Sequence, residues 1–359
     1  MTSRRNRKRD IIDVYDLLRA AERDPARLAD FLRSLSSTVQ TYTHLGQLSV
    51  VDDLLETSLP FLEEALSPHH PAVLNVRNNL AATLESLGRL PEAIALFEKN
   101  LAEVREHDID ASHLLAYRSN LANAYKNIGR LNRARALLDD ILDDSIRLLG
   151  PDHPTTLTIQ NNLGGVYEAA GRSDHAISIY EQTLRDRERV LGTDHPDTLT
   201  SRNNLAYALS DQGNLTAAIS LYEQVLADTE RVLGPDHPST LISRSNLAQA
   251  YSEIGNLSAA IAIHEHVLSG RERVLGTEHP DTLNARSNLA GAYEAVGRVS
   301  EAINLYQQVL ADAERVLGPD HPDALIVRSN LAGAYEAVGR VSEAINLYQQ
   351  VLADAERVL

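Results

Sequence analysis

The most constraining feature of this 359-residue chain is that it repeats itself, in one place letter for letter. Residues 286–317 and 328–359 are identical, and glycine recurs along the chain every 42 residues, with one interval of 41. These glycines are Gly46, Gly88, Gly129, Gly171, Gly213, Gly255, Gly297 and Gly339. A period of this length indicates stacked copies of one small unit, because a single unit cannot bury its apolar face alone.

The local signals predict two helices in each unit, one on either side of the glycine. A proline suits the first position of the first helix, where the missing N–H costs nothing, and the glycine suits the left-handed residue that ends that helix. A Ser or Thr three residues after the glycine is predicted to cap the second helix. The prolines are Pro154, Pro196, Pro238, Pro280 and Pro322, and the predicted caps are Thr216, Ser258, Ser300 and Ser342.

The second helix carries a small residue followed four positions later by a large ring. This spacing places both on one face, where the small residue allows close helix approach and the ring fills the next gap. The small residues are Ala176, Ala218, Ala260, Ala302 and Ala344, and the rings are Tyr180, Tyr222, Tyr306 and Tyr348, with His264 as the exception.

From Leu74 to Leu359 these positions resemble the tetratricopeptide repeat, and the 42-residue length with "NNLA" and "DHP" resembles the kinesin light chain subtype. The resemblance implies an all-α, right-handed superhelical solenoid of about eight antiparallel helix pairs. We predict seven repeats over 67–359 and a degenerate repeat over 28–66. A capping helix over 10–27 and a basic disordered head over 1–9 are predicted to precede them.

Composition excludes several classes of function. The formal net charge of −16 argues against a nucleic-acid partner, whose phosphates would be repelled. No cysteine is present, and no apolar run reaches the roughly 18 residues that a membrane span needs. We therefore expect a cytoplasmic protein without a membrane partner. The basic head could be a solvated tail or could touch an acidic partner, and the sequence leaves both open.

One face of each first helix is predicted to line a groove. If Leu205, Ala206 and Leu209 form the core side, the opposite side carries Asn, Ser, Thr and small residues, without Lys or Arg. The resemblance implies that the first helices line the concave surface and that asparagines in the "NNLA" register contact extended peptides. The predicted peptide-binding residues are Asn120, Asn123, Asn162, Asn203, Asn204, Tyr207, Asn246, Gln249, Asn288 and Asn330.

Two interpretations of this asparagine row stay open at this stage. A carboxamide offers donors and an acceptor, which match the alternating C=O and N–H groups of an extended peptide. The same carboxamides could instead bond to the adjacent helix and fix the stack. Both interpretations could hold together.

Two other repeating residues are predicted to be structural. In six repeats an arginine two positions before the asparagine lies about 200° away on the helix and should point to the interior edge, with its guanidinium reaching solvent. Glutamates of the second helices are its predicted partners. A histidine before each helix-starting proline is predicted to be a loop or helix-start residue, since successive copies are too far apart to share a metal. The arginines are Arg77, Arg118, Arg202, Arg244, Arg286 and Arg328, and the histidines are His153, His195, His237, His279 and His321.

No phosphate-binding loop, nucleophile elbow or metalloprotease motif is present in the sequence, so we expect no catalysis, cofactor, metal or small-molecule substrate. The favoured function is a non-enzymatic scaffold for a protein or extended peptide. The alternative is a sensor or assembly platform of a signalling system, acting through its ends and convex face. The last helix has no polar closing helix after it, which predicts end-to-end self-association or a fragment of a longer array.

Overall fold

A computed structural model describes residues 2–105 and 111–358, and all regular structure in these two ranges is helical. The helices are α1 Thr2–Arg23, α2 Leu28–His44, α3 Leu48–Leu66, α4 Pro71–Ser86, α5 Leu90–Arg105, α6 Ala111–Asn127, α7 Leu131–Leu149, α8 Pro154–Ala169, α9 Ser173–Leu191, α10 Pro196–Asp211, α11 Leu215–Leu233, α12 Pro238–Glu253, α13 Leu257–Val274, α14 Pro280–Ala295, α15 Val299–Val316, α16 Pro322–Ala337 and α17 Val341–Val358. In chain order α2 to α17 form eight pairs, which confirms the predicted fold class.

The chain divides into two compact units, the first ending at Leu137 and the second beginning at Leu138. In the first unit each of α1 to α5 packs against the helix that follows it, and in the second unit the same holds from α8 to α17. First helices of successive repeats also touch, as α10 does with α12 and α14 with α16. No helix of the described residues combines the length and the apolar composition that a bilayer crossing requires.

The histidine of the "DHP" phrase caps the first helix. His195 has an extended backbone, and its Nδ1 accepts a hydrogen bond of 3.2 Å from the Asp197 N–H, while Pro196 occupies the first helical position. The same bond recurs at His70, His153, His237, His279 and His321. The predicted helix-start role of these histidines is therefore confirmed, and it requires an imidazole whose Nδ1 carries no proton.

The second helices begin earlier than the sequence prediction. Gly213 ends α10 with φ +87°, and Asn214 follows at once as the cap of α11, its Oδ1 accepting from the Ala217 N–H at 3.4 Å. Thr216 lies inside the helix, and so do Ser258 and Ser300. The prediction that these hydroxyl residues cap the second helices is wrong, because the left-handed glycine turns the chain within one residue and leaves no room for a longer linker.

The predicted small and large residues of the second helices form the core of each repeat. Ala176, Ala218 and Ala302 are fully buried, and Tyr180, Tyr222 and Tyr306 are at most 3% exposed. His264 takes the ring position in α13 and is equally buried, with an Nδ1 atom that has no hydrogen-bond partner. The same position of α17 differs, since Tyr348 is 40% exposed.

Five of the six arginines of the first helices are buried and Arg118 is half-buried, so the prediction that their guanidinium groups reach solvent is wrong. Arg202 of α10 is 9% exposed and bonds Glu188 of α9 at 2.9 Å and Asp228 of α11 at 2.8 Å. The predicted glutamate partners are therefore confirmed. Arg286 and Arg328 likewise each pair with one glutamate and one aspartate from different helices. The planar guanidinium can meet two carboxylates from different helices at once, which makes the buried position acceptable.

Helix α1 also departs from the sequence expectation. A disordered head was predicted over 1–9, whereas the backbone is helical from Thr2 onward. Arg and Lys are good helix formers, and extending a helix that already exists costs less than starting one. A short 3-10 turn follows α1: it begins at Pro25, and the Asp24 side chain accepts from the Ala26 N–H at 3.0 Å.

Replacing Arg202 with Met should lower the free energy of unfolding by about 2 kcal/mol, because Glu188 and Asp228 lose their shared cation. Arg231 provides the matched control, since it also bonds Asp228 but is 56% exposed; Arg231→Met should cost under about 1 kcal/mol. Urea denaturation followed by circular dichroism measures both. Equal losses would contradict a special role for the buried arginine.

Acid should destabilise the repeat that contains His264. Burial, with a smaller contribution from Arg271, lowers the pKa of His264 from 6.5 to about 4. Between pH 6.5 and about pH 4, His264 is protonated in the unfolded chain but neutral in the folded chain. The free energy of unfolding therefore falls as the pH drops below 6.5. At pH 5 the loss should be about 2 kcal/mol. We expect His264→Phe to remove this component of the pH dependence in urea denaturation, and parallel pH profiles for the two proteins would contradict the assignment.

Candidate functional site

The predicted groove positions of the first helices are accessible to solvent, except Ser287, which is buried. In α10 the buried side consists of Leu199, Leu205 and Ala206, whereas Thr200, Tyr207 and Asp211 on the opposite side are exposed. We call this side of α8, α10, α12, α14 and α16 the front face. It is defined by Thr158, Asn161, Asn162, Gly165, Ala169, Thr200, Asn203, Asn204, Tyr207, Asp211, Ile242, Ser245, Asn246, Gln249, Glu253, Asn284, Ser287, Asn288, Gly291, Ala295, Ile326, Ser329, Asn330, Gly333 and Ala337.

The predicted peptide-binding residues differ in their exposure. Tyr207, Gln249, Asn288 and Asn330 are exposed, and none of the predicted residues is fully buried. The half-buried ones are Asn120 and Asn123 of α6, in the first unit, and Asn162, Asn203, Asn204 and Asn246 in the second. The row therefore remains reachable by a ligand, while six of its ten residues also pack against neighbouring residues.

Hydrogen bonds connect the asparagines of successive repeats. The Asn204 side-chain N–H donates to Asn161 Oδ1 at 3.3 Å, and that of Asn246 donates to Asn203 Oδ1 at 3.3 Å. In the first unit Asn120 donates to Asn78 in the same way, at 3.0 Å. The stacking interpretation is thus supported by direct contacts.

Further along the row the pattern changes, because serine occupies the acceptor position. Ser245 and Ser287 occupy the same repeat position that Asn161 and Asn203 occupy in earlier repeats. Asn288 and Asn330 make no side-chain hydrogen bond within 2–105 and 111–358, and both are exposed. Their carboxamides keep all donors and acceptors available to a ligand.

Three predicted residues meet at one cavity. It has a volume of about 280 Å³ and is lined by residues of α10 and α12 and by Tyr222 of α11. Its lining consists of Tyr207, Ser210, Asp211, Tyr222, Asn246, Gln249 and Glu253. Sequence reasoning assigned Tyr222 only to the core and did not consider Ser210. The available signal was that Ser210 replaces the glutamate found at the same repeat position in Glu168 and Glu294.

The cavity is acidic. Partial burial raises the pKa of Tyr207, and the carboxylates of Glu168, Asp211 and Glu253 raise it further. Asp211 accepts from the Ser173 hydroxyl at 2.7 Å, and Glu253 accepts from Ser210 at 3.1 Å and Gln249 at 3.2 Å. Among the described residues no Lys, Arg or His forms an ion pair with Asp211 or Glu253.

The described residues contain no group of three His, Asp or Glu side chains placed to share a metal ion. The histidines of the "DHP" phrase are each used in a helix cap instead. The chemistry that the front face offers is therefore that of hydrogen bonding through carboxamides, with carboxylates and tyrosines at the cavity.

Sequence models described as tetratricopeptide repeat match most of the chain. One matches residues 113–189, 174–230, 197–273, 255–315 and 281–357, and another matches 73–107. No curated protein sequence matches.

Three solved structures resemble the chain. A Podosopora anserina protein of kinesin light chain type with nearly identical TPR-like repeats is 36% identical, over 57% of this chain and 97% of that one, with a TM-score of 0.49. BtubC (BKLC) from P. vanneervenii is 20% identical, over 65% and 92%, with a TM-score of 0.49. A Rap protein complexed with competence and sporulation factor is 11% identical, over 99% and 98%, with a TM-score of 0.64, which shows a shared fold. The predicted resemblance is confirmed by the family matches.

Removing the inter-repeat carboxamide bonds should cost stability only where those bonds exist. Asn204→Ala with Asn246→Ala should lower the free energy of unfolding by about 1–2 kcal/mol, because each side chain loses a bond to the preceding repeat. Asn288→Ala with Asn330→Ala is the matched control and should change it by less than about 0.5 kcal/mol. Thermal and urea denaturation of both double variants decide between the two. Equal changes would show that the bonds contribute nothing to the stack.

Proposed function

The chain belongs to the tetratricopeptide repeat family, and we propose on this basis that it is a non-enzymatic scaffold that binds an extended peptide or protein segment along the front face. The observation that supports this most directly is the accessible row of carboxamides, several of which have unused donors and acceptors. An extended peptide presents the complementary groups at regular intervals.

The spacing of the row suits an extended ligand. Packed helices stand about 8–10 Å apart and an extended chain rises about 3.3 Å per residue, so one repeat would meet roughly every third residue of the ligand. Gly291 and Gly333 lie on the same face, and a Cβ added there would come within 3.3 Å and 3.6 Å of a tyrosine hydroxyl. The glycines therefore leave room for the second-helix tyrosines, Tyr306 and Tyr348, whose hydroxyls reach this face.

The inter-repeat bonds do not compete with this function. Asn204 and Asn246 each use one N–H for the neighbouring repeat, which leaves the second N–H and both lone pairs of the carbonyl oxygen. A fixed carboxamide is also a better binding group than a mobile one, because its rotamer is already ordered before the ligand arrives. The Rap protein of this fold, which was solved as a complex with competence and sporulation factor, is consistent with a fold that holds partners.

The test needs a ligand, which selection from a displayed library of random 12-residue peptides on the immobilised chain can supply. We expect selected peptides to bind Asn246→Ala/Asn288→Ala/Asn330→Ala at least tenfold more weakly, since three hydrogen-bonding groups are lost. Fluorescence anisotropy measures the affinity, and circular dichroism checks that the fold is intact.

A matched triple variant controls for a general loss of amides. Gln224, Asn304 and Gln308 are exposed on the second helices, and changing all three to Ala should leave peptide binding unchanged. Failure to select any peptide would refute the proposal. Selected peptides that bind the front-face variant normally but the second-helix variant weakly would favour the alternative, a sensor or assembly platform that works through its convex face.

A further inference from the structure

The cavity between α10 and α12 differs from the equivalent positions in the repeats that contain Tyr180 and Tyr306. In α9 the Tyr180 hydroxyl donates to Glu168 at 3.2 Å, and in α15 the Tyr306 hydroxyl donates to Glu294 at 3.5 Å. In the repeat of Tyr222, the position of that glutamate is occupied by Ser210. The Ser210 hydroxyl donates a hydrogen bond to Glu253 of the next repeat.

Tyr222 is therefore left with an unused hydroxyl. Its side chain is 1% exposed and lines the cavity, yet its hydroxyl makes no hydrogen bond within the described part of the chain. The hydroxyl oxygen itself opens to the cavity, so a polar group that enters the cavity can bond to it. The cavity is thus prepared for a polar group of a ligand at the Tyr222 hydroxyl.

The charge at the rim indicates the sign of that ligand group. Asp211 and Glu253 both line the cavity and have no cationic partner, whereas Asp194 of the same unit, for example, is paired with Arg231 at 2.7 Å. Tyr207 is 49% exposed and adds an aromatic ring to the same lining. Two carboxylates and a π-face attract a cation from the same side.

We propose that this cavity binds the side chain of a lysine or arginine residue of the peptide, which rests on the proposed function of the front face. The ammonium or guanidinium group lies between Asp211 and Glu253 and donates to the Tyr222 hydroxyl oxygen. Its aliphatic stem passes the Tyr207 ring. Asn246 and Gln249 line the same cavity and are placed to bond the peptide backbone around this residue.

A double-mutant cycle tests this assignment with peptides selected from the random 12-residue library. One arm changes the protein by Asp211→Asn with Glu253→Gln, which keeps the shape and removes both charges. The other arm replaces the basic residue of the peptide with methionine. We expect each change alone to weaken binding at least tenfold and both together to weaken it little further, because they remove the same interaction. Tyr222→Phe should weaken binding of the basic peptide two- to fivefold.

Asp139→Asn with Asp143→Asn is the matched control. These two carboxylates are exposed on α7, so the variant has the same net charge change away from the cavity and should bind normally. Circular dichroism establishes that each variant is folded, and Glu253→Gln alone repeats the test if the double variant is not.

The outcomes separate the two proposals. Selected peptides without a basic residue at a fixed position, or equal binding to wild type and to Asp211→Asn/Glu253→Gln, would overturn the cation site and leave the peptide-binding face standing. A replacement of lysine by arginine that retains binding shows that charge, and not one side chain, is recognised, which supports the assignment. Selection of no peptide at all would overturn the proposed function and this inference with it.

Discussion

The buried arginine of α10, α12, α14 and α16 is the interaction on which the arrangement of these four repeats depends. Arg202 reaches Glu188 in the preceding helix and Asp228 in the following one, so one side chain joins three consecutive helices. Because the arginine must face those helices, the residue two positions later faces about 200° away, toward solvent. The interaction that holds the stack thus also determines that Asn204 belongs to the front face. In the next repeat the position equivalent to Asp228 is Gly270. There Arg244 bonds Glu230 through two nitrogens and also bonds the Pro235 carbonyl.

Identical sequences in this protein have different surroundings, because each repeat is completed by another. Residues 286–317 and 328–359 are the same, yet Ile303 is 6% exposed and Ile345 is 51% exposed. Tyr306 packs in a cluster with Leu331 and Tyr335 of the next repeat, which supplies the burial that its own helix pair does not. Sequence determines the helix pair, while the neighbour determines whether its face is core or surface.

The features that sequence predicted well are those with local causes. Glycine at positive φ, proline at the first helical position and the alanine–tyrosine spacing each act within a few residues, so reading along the chain was sufficient. The burial of Arg202 was missed because it needs Asp228 of the following helix as well as the predicted glutamate of the preceding one, and no single helix pattern shows both. The cavity was missed for the same reason, since it appears only when Ser210 is compared with its equivalents across repeats. That comparison could have been made, because the repeats provide their own alignment.

Stacking and recognition are coupled in a structure of this kind. The stability of a repeat array is approximately a sum of terms for each repeat and for each interface between neighbours. The bond from Asn246 to Asn203 contributes to one such interface, and the same carboxamides have groups left for a ligand. A peptide that bonded to successive first helices would add contacts across every interface it spans, and a ligand that binds only the folded chain raises its stability. The row of asparagines therefore connects adjacent repeats by direct hydrogen bonds. Its remaining donors and acceptors allow a bound peptide to connect the same repeats by further hydrogen bonds.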